Sequence, residues 1–556
     1  MRHPTRILFF VFTLLLFSCQ PSDMILDVVI KDGRIVDGTG NPWFAGDVGI
    51  RGERIIAVGK LRGFTAKRMI DAKGKIVAPG FIDMLGQSGR SLLIDNRAMS
   101  KISQGITTEI TGEGASVAPV NDRILNEWKP FLEKYSYRVD WTDFQGYFRR
   151  LEENKTAINL ASFVGATQVR EYVIGYDDRD PTPDELEHMK QLIRTAMQQG
   201  ALGVSSSLIY APATYAKTQE LMELAKAAAE YGGMYISHIR DEGDNGKQEE
   251  AVFEAADIAA AANSPVEIWH LKVAGKQSWG TMSKIVNLIR DQRERSIDMA
   301  ANVYPYIASS NSLDESIPGW VHDGGTKKLL ERLSDKETRT KIRDELKQSN
   351  KRAGIDFEGI MIAQVNNPGL KQFEGKRLSE IARSWKQDPY EAMFDFILKD
   401  SSRTSRIKFS MHEEDLRLAM GQPWTSFCTD AGARATDGPL FEGKPHPRAY
   451  GSFPRVLSRY VREAKLFSLE DAIRKMTSLP ANRVGLRDRG VLKPGMFADV
   501  VVFDPNSVRD KATFEDPHQY SEGIEYVFVN GTAVWENGKF LGNFPGRAIR
   551  GPGYKK

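Results

Sequence analysis

The sequence predicts an α/β protein: a TIM (β/α)8 barrel with a small β-sandwich domain built from both chain ends and an inserted lid subdomain. Strand-and-helix units recur about every 32 residues through the middle of the chain, the length of one βα unit. Short β-branched runs separated by glycine turns occupy both ends. Residues from about 310 to 410 exceed a normal loop, and 556 residues with 41% hydrophobic content suffice for several cores.

The composition excludes several classes of protein. Charged residues make up 27% of a chain that is also rich in hydrophobic residues, which excludes a mostly disordered protein. The 76 Lys and Arg residues nearly balance the 73 Asp and Glu residues, and a net charge of +3 does not indicate a nucleic-acid partner. Two cysteines exclude a disulfide scaffold and a four-cysteine zinc site.

The first residues have the features of an export signal. Two arginines precede an apolar run over residues 7–17, about half of the roughly 20 residues that a membrane-spanning helix needs. The run ends in a serine followed by Cys19, which resembles the bacterial lipoprotein box. We therefore expect residues 1–18 to be removed, and the protein to be an exported lipoprotein that is anchored to a cell-envelope membrane only through a lipid on Cys19. The alternative is an ordinary secretory signal with an incidental cysteine.

Both ends of the mature chain show short strands separated by turns. Between residues 27 and 59, β-branched runs alternate with Asp-Gly and Gly-Glu turns, and residues 498–541 repeat the pattern. Neither end is long enough for a good core alone. We expect residues 24–75 and 485–550 to pair into one β-sandwich domain, which also brings the termini together.

The middle of the chain, residues 76–484, is predicted to form the barrel. Thr182-Pro-Asp-Glu185 is a capping box with Pro at the first helical position, and Gly200 stops the helix that it begins. The insertion at about 310–410 follows the seventh strand. Later helices are expected at 219–231, 248–262 and 282–293. Eight strands are expected, the number in a TIM barrel, at 76–84, 107–111, 159–165, 203–207, 234–238, 266–270, 298–303 and 424–430.

In these barrels the active site lies at the C-terminal ends of the strands. His238 ends the fifth strand and His270 the sixth. Asp430 ends the eighth, and Glu113 follows the second. Either histidine alone has more often a structural role, but two at equivalent ends of consecutive units, among eight in the chain, favour a shared site. Two imidazoles and a carboxylate form a catalytic zinc set with an open fourth position, beside which Asp430 is placed to act as the general base.

At these residues the chain resembles the amidohydrolase superfamily and, within it, the D-aminoacylase (N-acyl-D-amino-acid deacylase) family, over about residues 25–555. The resemblance implies a zinc-dependent hydrolase of the N-acyl amide of D-amino acids, acting by attack of metal-bound hydroxide, with a small-molecule N-acyl amino acid as its partner. The matching stretches, in the family's order, are 78–83, 200–212, 237–243, 270–275, 303–306, 446–455 and 489–504.

The resemblance also implies residue roles. The two strand-end histidines match the family's zinc ligands, and Asp430 matches its general base. Lys272, Tyr304 and Arg448 match residues that hold the substrate's α-carboxylate. Two cations and a phenol can hold a carboxylate through charge-assisted hydrogen bonds, and Arg can do so bidentately. The alternatives are a structural salt bridge for Lys272 and a loop anchor for Arg448.

The sequence departs from the family where a second metal would bind. The superfamily has His-x-His after the first strand, where this chain has Leu85 and Gln87, and Leu85 cannot ligate a metal. Glu113 replaces a bridging cysteine, and Ala166 replaces a histidine that often follows the third strand. The fourth strand, 204–207, has no lysine for a carboxylated bridge. We therefore expect one zinc ion per chain, held by Glu113 and the two histidines.

Two other functions stay open. One is the hydrolysis of cyclic amides or D-residue dipeptides, and the other is a lipid-anchored binding protein that kept the fold and lost the metal. The missing His-x-His favours a binding protein, whereas the retention of both histidines, Asp430 and the carboxylate-binding set favours a hydrolase. The acyl-group and side-chain preferences depend on the packing of the lid, residues 310–410, which the sequence does not reveal.

Overall fold

The computed structural model describes residues 25–555, and its central feature is the predicted eight-stranded barrel. Each strand pairs in parallel with the next. The third strand is interrupted at Phe163, so its first part pairs with the second strand and its last part with the fourth. The Met84 N–H donates to the Phe427 carbonyl (3.3 Å), which joins the first strand to the eighth. The strands are Phe81–Asp83, Ile106–Thr111, Asn159–Ser162 with Val164–Gly165, Gly203–Ser207, Met234–His238, Val266–Ile268, Met299–Val303 and Thr425–Phe427.

The predicted strand 76–84 is two strands in the structure, which corrects that prediction. Ile76–Pro79 pairs with a C-terminal strand of the other domain, whereas Phe81–Asp83 belongs to the barrel. Gly80 lies between them, where an added Cβ would stand 2.3 Å from the Thr107 side chain, so only glycine fits. Because both parts are apolar and buried, the hydrophobic pattern runs through the break without a change.

Both chain ends meet in one nine-stranded sheet, which forms the predicted β-sandwich domain. Its first strand, Ile25–Ile35, pairs along one edge with Thr65–Asp71 and then with Ile76–Pro79, so the sheet divides there. Apolar side chains from both ends, such as Ile50 and Val500, pack in one shared core. The remaining strands are Phe44–Arg51, Arg54–Gly59, Val500–Phe503, Ile524–Val529, Thr532–Glu536 and Lys539–Phe540.

Helices cover the outside of the barrel. The predicted capping box is present: the Thr182 hydroxyl accepts a hydrogen bond from the Glu185 N–H (3.3 Å), and the Glu185 carboxylate accepts one from the Thr182 N–H (2.8 Å). The three later predicted helices are found within two residues of their expected ends. The helices outside the insertion are Ser91–Ile94, Met99–Ile102, Asp122–Lys134, Phe144–Asn154, Ala166–Val173, Pro183–Gln198, Thr218–Ala229, Gln248–Ala262, Met282–Glu294, Glu413–Met420, Arg448–Arg455, Val456–Glu463, Leu469–Met476 and Ser478–Arg483.

The chain between the seventh and eighth strands forms the predicted insertion. Its stem is an antiparallel sheet of Ser309–Ser312, Ile360–Gln364 and Ser405–Lys408. Residues of all three strands line the cavity at the barrel mouth. The insertion has an apolar core of its own, to which Leu329 and Phe394 belong. Its helices are Thr326–Ser334, Lys336–Ala353, Leu378–Trp385 and Pro389–Lys399.

The N-terminal predictions concern residues that lie outside the described part of the chain. The signal segment 1–18 and the lipid on Cys19 therefore stay predictions. Of the helices that the structure describes, none is both long and apolar enough to cross a membrane.

Candidate active site

The residues predicted to bind zinc lie together at the C-terminal mouth of the barrel. His238 is the last residue of the fifth strand, whereas His270 and Glu113 each lie two residues past the ends of theirs. One ligand atom from each of the three side chains falls within 4.8 Å of the others. The Glu113 Oε1 atom lies 2.7 Å from His238 Nδ1 and 2.8 Å from His270 Nε2. The structure thus brings together the whole predicted ligand set.

The three side chains are buried and share their charges. The side chains of His238, His270 and Glu113 are 3%, 2% and 9% exposed. Burial would raise the pKa of Glu113, but His270 and His238 hold it well below its usual value. Burial and Lys272 lower the pKa of His270, yet Glu113 and Asp430 outweigh them and raise it to about 9. Glu113 is therefore ionised, the form in which a carboxylate binds a metal.

These residues fit a zinc ion. Two imidazoles and one carboxylate are a known catalytic zinc set that leaves the fourth position open. The buried His238 Nε2 has no hydrogen-bond partner among the described residues, and buried polar atoms are rarely left so. The Gln87 amide donates to Glu113 Oε2 (2.6 Å), which orients the carboxylate from outside the ligand set.

Asp430, the predicted general base, lies beside the ligand set. It stands three residues past the eighth strand, and its N–H donates to the Leu85 carbonyl (2.8 Å). Its Oδ1 lies 3.4 Å from the same Gln87 amide nitrogen that binds Glu113. Asp430 and His270 have left-handed φ angles of 46° and 34°. Such backbone costs energy in residues other than glycine and is concentrated at functional sites.

The predicted carboxylate-binding residues line the same cavity, which has a volume of about 330 Å³. Arg448 begins the helix Arg448–Arg455, and its guanidinium pairs with Asp430 (2.8 Å) and lies 4.6 Å from the centre of the Tyr304 ring. The buried Arg448 Nε has no hydrogen-bond partner in the described part of the chain. Burial holds the pKa of Tyr304 well above its usual value. The phenol therefore keeps its proton and can donate a hydrogen bond to an anion.

Sequence reasoning missed Glu242, which the structure places at the centre of the site. Its Oε1 lies 3.4 Å from His238 Nε2 and 3.2 Å from His270 Nδ1, and it contacts the Lys272 ammonium. Lys272 is thus already paired, as the salt-bridge alternative proposed. Glu242 follows His238 by four residues within the matched stretch 237–243, and this spacing was the signal that could have found it.

A second missed group surrounds the backbone of Asp430. The fully buried Lys101 ammonium donates to Asp83 Oδ2 (2.8 Å), to the Thr429 hydroxyl (2.7 Å) and to the Ala431 carbonyl (2.7 Å). The Thr429 N–H donates to Asp83 Oδ1 (2.8 Å). The sequence around Lys101 gave no signal of this role, because polar residues flank it and two of its partners, Thr429 and Ala431, lie more than 300 residues away.

The departures from the family pattern have structural counterparts. Leu85 is buried in an apolar cluster with Met84 and Cys428, so no ligand occupies its position. Gln87 binds Glu113 through its amide, and Ala166 is the buried first residue of a helix. Across residues 25–555, no other group of three such donors lies close enough together to hold a metal.

Comparisons with known proteins cover nearly the whole chain. The model of the amidohydrolase family matches residues 68–305 and 428–535, which leaves out the insertion. A D-aminoacylase from Alcaligenes xylosoxydans xylosoxydans is 33% identical over 534 residues, covering 95% of this chain and 99% of that protein. An N-acyl-D-glutamate deacylase from the same organism is 35% identical, covering 94% and 96%.

Solved structures are similar over the same extent. The N-acyl-D-glutamate deacylase of Bordetella bronchiseptica, complexed with zinc and a phosphonate inhibitor, has a TM-score of 0.79 and 32% identity, covering 95% of this chain and all of that one. A D-aminoacylase has a TM-score of 0.78 and 33% identity, covering 94% and 100%. A further D-aminoacylase structure describes a binuclear metal centre with one-metal activation and second-metal attenuation.

Proposed function

The chain belongs to the amidohydrolase family, and from this premise we propose that it is a zinc-dependent deacylase that cleaves the N-acyl amide of D-amino acids. The observation that carries the proposal is the meeting of one metal-binding set, Glu113, His238 and His270, with Asp430 and with the cationic and phenolic side chains proposed to bind a carboxylate, in a single cavity. Relatives of known activity that are similar over the full chain support the substrate class.

Glu113, His238 and His270 would hold one zinc ion. When bound, the ion would polarise the amide carbonyl and lower the pKa of the attacking water. The proposal of a single ion is supported by Leu85 and Gln87, because one is apolar and buried and the other uses its amide on Glu113.

Asp430 is the proposed general base. Its carboxylate accepts the proton of the attacking water and returns it to the leaving amine nitrogen. Its carboxylate pairs with the Arg448 guanidinium at 2.8 Å, which holds the side chain in the cavity. The Leu85 carbonyl accepts a hydrogen bond from the Asp430 N–H, and the Gln87 amide nitrogen lies 3.4 Å from Asp430 Oδ1. These two contacts fix its orientation.

Arg448, Tyr304 and Lys272 are proposed to bind the α-carboxylate. Arg448 offers its unpartnered Nε, and Tyr304 offers a phenol that keeps its proton. Lys272 already pairs with Glu242, so we expect it to contribute less to carboxylate binding than Arg448 does.

We expect Arg448→Ala to lower kcat/KM about 30-fold or more for N-acyl amino acids, because the loss of one partner of a buried charge pair costs about 2–5 kcal/mol. The loss should largely vanish for substrates whose carboxylate is an amide. Steady-state kinetics on matched carboxylate and carboxamide substrates measure both effects. If the wild-type enzyme hydrolyses the two forms equally well, no carboxylate-binding set exists.

A panel of N-acetyl D- and L-amino acids tests the proposed function as a whole. We expect hydrolysis of D-substrates with kcat/KM at least about 100-fold above their L-enantiomers, equivalent to about 2.7 kcal/mol. Hydantoins and D-residue dipeptides belong in the same panel. If they are hydrolysed in preference to every linear N-acyl amide, the activity is that of the cyclic-amide or dipeptide alternative.

A further inference from the structure

Three cations line the active-site cavity, and one of them lacks a partner. Lys272 contacts Glu242, and Arg448 pairs with Asp430 at 2.8 Å. The third, Arg434, has no carboxylate within 4.0 Å in the part of the chain described here. Its guanidinium makes one long hydrogen bond, of 3.4 Å, to a backbone carbonyl.

The acidic groups nearest to Arg434 along the chain are paired with other cations. Asp437 pairs with Arg97 and Glu442 with Lys134, both at 2.7 Å, and Asp430 pairs with Arg448 at 2.8 Å. The protein therefore supplies no anion to Arg434, although it neutralises the other two cations of the cavity.

The position of Arg434 is fixed by its backbone. Its N–H donates to the Ser100 hydroxyl (3.0 Å), and the N–H of the preceding Ala433 donates to the Ser88 hydroxyl (2.7 Å). A charged side chain on a fixed backbone, without a partner to displace, is preorganised for a ligand.

Arg434 lies where the active-site cavity meets a second cavity, of about 950 Å³. Gln364 and Ser405, from two paired strands of the insertion, also line both cavities and make their junction polar. A group that extends from the reacting amide towards the insertion would therefore pass Arg434. Cations outnumber acidic groups in the lining of the second cavity, which has one carboxylate, Glu127, and further cations at Arg90, Lys134, Lys327 and Arg403.

We propose that Arg434 binds a second carboxylate of the substrate. Preferred substrates are then N-acyl-D-amino acids with one acidic group besides the α-carboxylate, carried by the side chain or by the acyl group. Arg is suited to this because its planar guanidinium binds a carboxylate through two parallel hydrogen bonds. The inference rests on the proposed function.

Two isosteric substrate pairs test it and separate the two sources of the carboxylate. One pair is N-acetyl-D-glutamate and N-acetyl-D-glutamine, and the other is N-succinyl-D-leucine and N-succinamoyl-D-leucine. The wild-type enzyme should prefer the acid over the amide by about 30-fold in kcat/KM in one of the two pairs. A preference in the first pair places the second carboxylate on the side chain, and a preference in the second pair places it on the acyl group. Arg434→Gln should abolish most of that preference and leave the amides unaffected, while Arg434→Lys should keep part of it.

Two results would overturn the proposal. One is a wild-type enzyme that shows no acid preference in either pair. The other is an Arg434→Gln variant in which kcat/KM falls equally for acids and amides, as expected if Arg434 binds the α-carboxylate. If no N-acyl-D-amino acid is cleaved, deacylation itself is wrong. In that case calorimetry compares the binding of glutarate, which has two carboxylates, with that of butyrate, which has one, in wild type and in Arg434→Gln. Tighter binding of glutarate that is lost in Arg434→Gln would support a site for a second carboxylate, and equal binding of the two acids would contradict it.

A separate observation concerns the residues on either side of Asp430. The Lys101 ammonium holds the Thr429 hydroxyl and the Ala431 carbonyl, and Asp83 holds the Thr429 N–H. All of these bonds are 2.7–2.8 Å long, and Lys101 is fully buried. Asp430, between them, has a left-handed φ of 46°, which non-glycine residues rarely adopt without support.

We infer that Lys101 and Asp83 are positioning residues that hold the backbone of Asp430 in this conformation. The inference does not depend on the substrate, because the contacts are to the backbone and to Thr429. A carboxylate displaced by about 1 Å loses much of its efficiency as a base, whereas substrate binding through other residues is kept. Removing Lys101 should therefore lower kcat more than it changes KM.

The test compares Lys101→Met with Arg170→Met, which breaks another buried ion pair, with Glu220 on the outside of the barrel. Both variants should lose thermal stability. We expect only Lys101→Met to lower kcat, by about 10-fold or more, with KM within about threefold and the metal content unchanged.

Lys101→Arg, which keeps the charge, should recover part of the kcat and serves as the second variant if Lys101→Met does not fold. Equal kcat per folded chain in both Met variants, or a loss in Lys101→Met that lies wholly in KM, would show that the buried ion pair has a structural role only.

Discussion

Replacement of Asp430 by Asn is expected to lower kcat by about 100-fold or more, with KM and metal content nearly unchanged. General-base catalysis alone contributes about this much, and an amide cannot accept the proton at neutral pH. Asn keeps the shape of Asp, and its single amide oxygen can still accept a hydrogen bond from Arg448, so the cavity should keep its form. Steady-state kinetics with zinc quantified on the same preparation measure the effect.

The matched control is Asp437→Asn, because Asp437 lies on the same loop and its side chain is 67% exposed. It should keep wild-type turnover. Near-wild-type turnover in Asp430→Asn would show that another group takes the proton, and Glu242 would be the first candidate because it contacts both histidines of the ligand set.

We expect His238→Ala to lose the metal and, with it, nearly all activity, while the barrel stays folded. His238 is one of three proposed ligands, and the remaining two would not hold zinc tightly. Elemental analysis of the purified variant should give less than about a tenth of the wild-type zinc, and wild type should carry about one ion per chain. Circular dichroism should be unchanged, and the melting temperature should fall towards that of chelator-treated wild type, because the ion binds only the folded state.

His188→Ala is the control, since His188 is exposed on the helix Pro183–Gln198 and packs on Tyr172. It should keep both zinc and activity. Two ions per chain in wild type would contradict the single-ion proposal, and an active, zinc-loaded His238→Ala would contradict the ligand set itself.

The barrel was predictable because its signals are local. Strand and helix patterns of one βα unit lie within about 32 residues, and the capping box at Thr182 needs only four residues to be recognised. The meeting of the proposed zinc ligands was also predictable, since parallel strands bring their C-terminal ends to one face and two histidines occupy equivalent ends. The break at Gly80 was not, because the strands on either side are equally apolar.

The supporting groups of the site could not be predicted, because their partners are distant in sequence. Lys101 meets Thr429 across 328 residues, and Gln87 meets Asp430 across 343. Nothing in the local pattern around either residue distinguishes it from a surface residue. The residues of the insertion that line the cavity could not be predicted for the same reason. Gln364 and Ser405 reach the cavity only because the strands of the stem pair and pack above the barrel.

The stem of the insertion has a consequence for how such proteins diversify. Ser309–Ser312 and Ser405–Lys408 pair directly, Ser312 opposite Ser405, so about a hundred residues leave and rejoin the barrel within one strand spacing. A segment with adjacent ends and its own apolar core can be exchanged by recombination without disturbing the metal ligands below it. Grafting this segment onto a related barrel would transplant the part of the cavity that the insertion lines and leave the residues at the strand ends of the host in place.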